Sequence, residues 1–175
     1  MQEYFTEAVV LDREPLHELD FRLSVFTKRR GKIVAKAKSA RKILSKLSGH
    51  LVPGAVAQIR FVERNGLQLV DALKIGTASA SVTDLRALNA ILADGEPDPL
   101  LWRQLEGGSF DWGTVLKILG WDPASAACSV CARPLPSVFH ARAQEFFCAP
   151  CSSRSGEKEV IYIGTANHKS KAVKN

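Results

Sequence analysis

The stretch FRLSVFTKRRGKIVAKAKSARKILSKLSGHLVPGAVAQIRFV, residues 21–62, contains Arg22, Lys28, Arg29, Arg30, Lys32, Lys36, Lys38, Arg41, Lys42, Lys46 and Arg60, and not one Asp or Glu. All 18 acids of the chain lie outside it. Apolar residues alternate with these cations, which separates the stretch from a charged tail. In Lys32-Ile33-Val34-Ala35-Lys36-Ala37-Lys38 the period is two. Ile33, Ala35 and Ala37 fall on one face of a strand, with Lys32, Lys36 and Lys38 on the other. A strand that buries its apolar side and holds out lysines is a surface suited to a polyanion. The plainer reading is a solvated lysine face that guards an edge, but that leaves an acid-free stretch of this length unexplained.

Working outward, residues 3–75 read as five strands. Phe5 to Leu11 is the first, with the continuous apolar run Ala8-Val9-Val10-Leu11. The second runs from about Leu19 to Thr27, with Phe21, Leu23 and Val25 inward. Lys28-Arg29-Arg30-Gly31 makes a tight connection in which Gly31 supplies a positive φ. Ala40 to Gly49 has no clear period. Ala55 to Glu63 is a strand with Ala57, Ile59 and Phe61 inward and Gln58 and Arg60 outward. Asn65-Gly66 is a hairpin signal. The fifth strand has Leu67, Leu69, Leu73 and Ile75 on its inner face, with Asp71 as a misfit among them. Five short strands with a long connection between the third and fourth predict a small closed barrel of the OB type. The fold class is therefore α+β, a barrel followed by helices and a cysteine segment.

Residues 77–82 read as a linker. Leu85, Leu88, Ile91 and Leu92 recur at helical spacing behind Ser81 or Thr83 as N-cap. Asp98-Pro99 opens a second helix that stops at Gly107-Gly108. Ser109 caps a third, with Asp111 as a first-turn acid, closed by Gly120. The expected division is 1–76 barrel, 77–127 helical subdomain, 128–163 cysteine segment and 164–175 a disordered basic tail carrying Lys169, Lys171 and Lys174.

Cys128-Ser129-Val130-Cys131 and Cys148-Ala149-Pro150-Cys151 form two C-x₂-C pairs, the spacing of a four-thiolate zinc knuckle. The returning chain supplies a hairpin, with Val138-Phe139-His140 and Glu145-Phe146-Phe147 as its strands. Four sulfurs fill a tetrahedral shell, so the zinc is structural. Local disulfides, a redox C-x-x-C and an iron–sulfur cluster are the competing readings. His140 reads as a surface strand residue outside the ligand set. The other titratable groups form no catalytic set. His17 and His50 are isolated, and no phosphate-binding glycine loop or nucleophile motif occurs. The chain is expected not to be an enzyme. No apolar run approaches the roughly 18 residues of a membrane span, and the start Met1-Gln2-Glu3-Tyr4-Phe5 has no secretory character. With four cysteines and no export signal, the expected location is the cytoplasm.

Taken together, the motifs resemble a known family. Ala8-Val9-Val10-Leu11, His17-Glu18-Leu19-Asp20 and Phe26-Thr27-Lys28-Arg29-Arg30-Gly31-Lys32 look like the start of the bacterial recombination mediator RecO. Ala37-Lys38-Ser39-Ala40-Arg41 and Ser45-Lys46-Leu47 continue the likeness. Leu116-Lys117-Ile118-Leu119-Gly120-Trp121-Asp122-Pro123, ahead of Cys128, is similar to that family's approach to its zinc site. The resemblance implies a bacterial, nucleoid-associated protein of recombinational DNA repair. It implies binding of single- and double-stranded DNA, strand annealing, and recombinase loading with RecR, RecA and single-stranded-DNA-binding protein as partners. Family members are generally longer, so annealing is expected to be retained and the contact with single-stranded-DNA-binding protein to be weak. The phosphate-neutralising residues are expected to be Lys28, Arg29, Arg30, Lys32, Lys36, Lys38, Arg41, Lys42 and Lys46. Stacking is expected to be weak, because Phe21, Phe26 and Phe61 point mostly inward. An RNA-binding module of the translation apparatus and a protein-interaction adaptor stay open as alternatives.

Overall fold

A computed structural model describes residues 2–42, 45–64 and 66–163. Five strands, β1 (Gln2–Leu16), β2 (Asp20–Thr27), β3 (Gly31–Ala37), β4 (Ala55–Glu63) and β5 (Leu67–Thr77), close into a barrel in the order β1-β2-β3-β5-β4. The long first strand serves two neighbours. Gln2 to Val9 pair with β4, and Ala8 to Leu16 pair with β2. A register shift between Val10 and Asp12 lets β1 bend from one partner to the other. Closure comes from a short parallel contact, Lys36 with Gln68 and Ala37 with Leu69. The interior holds Ala8, Val10, Leu23, Val25, Ala35, Ala37, Ala57, Ile59, Phe61 and Leu69, so alternating small and large side chains fill a narrow barrel.

The run Ala8 to Leu11 is wholly buried because both of its faces are covered. Ala8 and Val10 enter the barrel core. Val9 and Leu11 have the opposite parity, and helix α1 (Val82–Ile91) packs on this strand from outside. Ser81 caps α1 through a capping box with Asp84. Helix α2 (Pro99–Glu106) follows, its Asp98 side chain accepting from the Leu100 and Leu101 amides. Phe26 points away from the barrel core, yet it is fully buried and stacked on Trp102 of α2, with ring centroids 6.5 Å apart. Residues 77–82 are no loose linker. Ala78 and Ala80 are buried, and Ser79 donates to the Gln104 and Leu105 carbonyls at the end of α2.

The expected inner face of β5 needs correction. Arg60 pairs with Asp71 but Phe61 pairs with Leu69, so Val70 is an extra residue in the ladder. One inserted residue reverses the parity that follows it, up to a second shift where Val56 pairs with Gly76 but Ala57 with Lys74, so that Ile75 is itself an extra residue. Ala72 turns inward, while Asp71, Leu73 and Ile75 turn out, and Leu73 is 57% and Ile75 48% exposed. The misfit disappears: Asp71 is a surface residue. Gly66 has the expected positive φ, +99°, while Asn65 of the hairpin signal lies outside the described residues.

Two compact units emerge, one ending at Phe110 and one beginning at Asp111. Helices α1 and α2 therefore fold with the barrel, and the third helix belongs to the cysteine unit; a subdomain of residues 77–127 is not what the chain packing forms. In the second unit α3 (Trp112–Ile118) is capped by Asp111, which accepts from the Thr114 amide, and Ser109 lies ahead of the cap. Strands β6 (Val138–His140) and β7 (Glu145–Phe147) occupy the expected positions. Helix α4 (Ala149–Ser155) and β8 (Val160–Tyr162) complete a three-stranded antiparallel sheet of order β7-β6-β8. Phe139 anchors this unit, with its ring centroid 5.1 Å from both Trp121 and Phe146. The expected tail, 164–175, lies outside the described residues.

Candidate metal centre and nucleic-acid interface

The two cysteine pairs reach one point by different local means. Cys128 opens a tight turn in which its carbonyl accepts from the Ala132 amide at 2.8 Å and its own amide donates to the Arg133 carbonyl. Ala132 takes the left-handed conformation, φ +55°, that such a turn requires. Cys148 is the N-cap of α4, and its carbonyl accepts from Cys151 and Ser152, which swings Cys151 back toward it. The β6–β7 hairpin carries one pair to the other. All four sulfurs lie within 4.8 Å of one another. Cys131 Sγ and Cys148 Sγ are 3.7 Å apart, against about 3.8 Å for a tetrahedral edge with metal–sulfur bonds near 2.3 Å.

The electrostatics of the cluster favour a cation. Amide groups of Cys148, then Cys131 and Val130, hold the Cys128 thiol down to about 6, against the burial that raises it. The hydrogen bond with the Cys148 sulfur, with burial, pushes Cys151 up to about 12. Four thiolates at this separation require a positive ion among them. His140 is not a surface residue. It is 3% exposed, stacked on Phe147 at 3.9 Å, with Nε2 2.8 Å from Ser152 Oγ. It lies outside the sulfur cluster and braces α4 against the sheet.

The nine expected phosphate-binding cations do not form one patch. Lys28, Arg29, Arg30 and Lys32 lie at the β2–β3 turn; Lys36, Lys38, Arg41, Lys42 and Lys46 lie at the far end of β3 and beyond. The nearest members, Lys32 and Lys36, are four residues apart on β3, about 13 Å. The turn group is largely engaged by the fold. Lys28 pairs with Glu7 at 2.7 Å and sits 5.5 Å over the Trp102 ring. Arg30 lies 3.8 Å over the Tyr4 ring, whose hydroxyl donates to Glu63. Lys32 Nζ donates to the Asn89 and Leu92 carbonyls at 2.9 and 3.0 Å and pairs with Asp94, leaving its side chain 15% exposed. It caps the C-terminus of α1 from another element. Arg29 has no ion pair among the described residues.

The far group is different. Lys36 pairs with Asp20 at 2.8 Å, and this lysine, with the Ser39 amide, holds the Asp20 carboxyl below its ordinary range. Lys38, Arg41, Lys42 and Lys46 are exposed with no ion pair among the described residues, although Arg41 Nη1 donates to the His17 carbonyl. Arg22 joins them, because the register sets it opposite Lys36. Arg13 lies over the half-buried Phe21 ring at 4.5 Å nearby on β1–β2. Phe5 also escaped the sequence reading. It shares a parity with Glu3 and Glu7, an available signal, and is 72% exposed on the outside of the barrel.

This architecture defines a class: an OB-type barrel with helices packed on its first strand, followed by a separate four-cysteine unit. Within that class the family is specific. Residues 1–77 match the family model of the recombination protein O N terminal. The chain is 30% identical over 156 residues to the DNA repair protein RecO of Geobacter sulfurreducens, covering 75% of this chain and 64% of that protein. It is 28% identical to the RecO of Geobacter metallireducens, covering 86% and 73%, and to that of Koribacter versatilis, covering 82% and 70%. The chain is similar to RecO proteins over most of its length, and the first of these alignments spans just under two thirds of the relative's length. Among the described residues, no helix is long and apolar enough to cross a membrane.

Proposed function

We propose that this protein binds DNA in recombinational repair, as its relatives' names indicate for them, and that it works without catalysing bond chemistry. The observation that carries the reading is the group Arg22, Lys38, Arg41, Lys42 and Lys46, exposed and with no ion pair among the described residues, on β2, at the end of β3 and in the connection after it. Such cations neutralise phosphates and release counterions, which drives association without sequence preference. Two strands held with their charge screened anneal without a nucleotide or a catalytic group. By its resemblance to RecO we extend the reading to recombinase loading with RecR and RecA as partners, the contact with single-stranded-DNA-binding protein being weak. The cysteine cluster holds one structural zinc, because four sulfurs leave no position for a reacting water.

The test is affinity for a single-stranded oligonucleotide as a function of salt, with RNA of the same sequence as competitor. Five neutralised phosphates give a slope of log affinity against log salt near −3.5, and Lys38→Glu with Lys42→Glu flattens it by about 1.4. Lys32→Gln should lower thermal stability and leave the slope unchanged, since its ammonium serves α1. A salt-independent affinity rules out the electrostatic reading. Tighter binding of RNA than of DNA moves the function to RNA.

A further inference from the structure

The outer face of β1, β4 and β5 carries a feature that charge patterning does not predict. A groove of about 630 Å³ runs there, with Phe5 and Leu73 as its apolar wall and Lys28, Arg29, Arg60 and Asp71 around them. The register sets Arg60 between Phe5 on β1 and Asp71 on β5. The guanidinium of Arg60 sits 6.0 Å from the Phe5 ring centre and 3.8 Å from Glu3. Phe5 is 72% and Leu73 57% exposed, and Ile75 continues the apolar strip at 48%. The Val70 bulge creates this surface, because without it Leu73 would enter the core, and Ile75 is the extra residue of a second bulge.

Accepting the nucleic-acid reading above, we propose that this groove is a base-stacking subsite for single-stranded nucleic acid, with the Phe5 ring as its platform. Two features favour a nucleotide over a peptide. On the rim Lys28 is paired with Glu7 and Arg60 with Glu3, while Arg29 has no ion pair among the described residues and is left to meet a phosphate. An exposed ring beside a guanidinium is the arrangement on which bases stack, since every base has a π-face and the arginine can lie against it or reach a phosphate. Asp71 repels phosphate but accepts a hydrogen bond from an exocyclic amino group, which orients the base edge toward β5 and the backbone toward Arg29. The platform also lies away from the Lys38–Lys46 cations, so one chain has two separate places to hold a strand.

The discriminating measurement compares an ordinary oligonucleotide with one of equal length carrying abasic sites, for the full-length protein and its Phe5→Ala variant. The wild type should bind the ordinary strand more tightly, and Phe5→Ala should remove that preference, a loss of about 5- to 150-fold per stacked base. Affinity for the abasic strand and for duplex, the salt slope and the melting temperature should stay as they were, and Phe5→Trp should retain the preference. Wild-type protein that binds both strands equally, or a Phe5→Ala variant that keeps the preference, overturns the stacking subsite while leaving the electrostatic reading intact. In the second case the groove is assigned to a protein partner. Equal losses on both strands mean that Phe5 acts only through Arg60, and likewise overturn it. Wild-type protein that binds neither strand overturns the functional reading and this inference together.

Discussion

Gly31 shows how much one position can carry. It turns the chain between β2 and β3 at φ +64°. The Thr27 hydroxyl closes the same turn, donating to the Gly31 carbonyl and accepting from the Arg30 amide. The chain also returns against Gly31 from far away. The Glu96 backbone occupies the space a Cβ would need, and the Gly95 amide donates to the Lys32 carbonyl at 2.8 Å. Gly31→Ala should therefore cost more than the roughly 1–2 kcal/mol of a left-handed alanine, because the neighbouring backbone must move as well. Gly95→Ala, at φ +79° with open space around its Cβ position, supplies the conformational cost alone. Thermal or denaturant unfolding of the two variants checks this; equal losses would show that the loop after α1 yields freely. The positive φ was legible from a glycine in a tight turn. The second constraint was not, because it comes from residue 96.

At the level of elements, the four cysteines of the knuckle could hold a metal ion, and the proposed zinc would cross-link β6, β7 and α4. The knuckle's strands have three residues each and its helix seven, too little to order themselves without a cross-link. Purified protein should contain about one zinc per chain. Cys151→Ser or a chelator should abolish the packing of Trp121 and Phe139 while the barrel's unfolding transition stays in place. Near-ultraviolet circular dichroism beside a melting curve reads both, and a metal-free protein with the aromatic signal intact contradicts a structural site. Acid should act in the same direction as the chelator. Thiols must lose their protons to bind a metal, so affinity falls as pH falls, and the value of about 12 at Cys151 favours its protonated form across the neutral range. The cysteine spacing and both hairpin strands were readable in sequence. Helix α4 and β8 were missed, although Pro150 in the first turn and Gly156 in the left-handed C-cap, φ +69°, bracket the helix.

For the molecule as a whole, the boundary after Phe110 has a consequence. Each unit has its own core, one around the barrel interior with α1 and α2 outside, the other around Phe139 and the cysteines. A fragment of residues 1–110 should fold alone and keep the salt slope of the intact chain, as measured by the same binding titration; a fragment of residues 111–163 should fold only with zinc. An unfolded or non-binding 1–110 fragment would place an indispensable part of the barrel's stability or of its surface beyond Phe110. What the sequence by itself determined is everything governed by local period and local chemistry. That covers the strand alternation of β1 to β4, the caps at Ser81 and Asp98, and the four ligands, because side-chain parity and turn geometry are set within a few residues. Only the tertiary structure decided which cations are available and which apolar residues are exposed. Lys32 and Lys38 look alike in the chain, yet one is consumed by carbonyls about 60 residues away while the other meets solvent. Leu73 looks like core, yet one extra residue at Val70 turns it outward. In both cases the deciding partner is distant in sequence, and no local pattern records it.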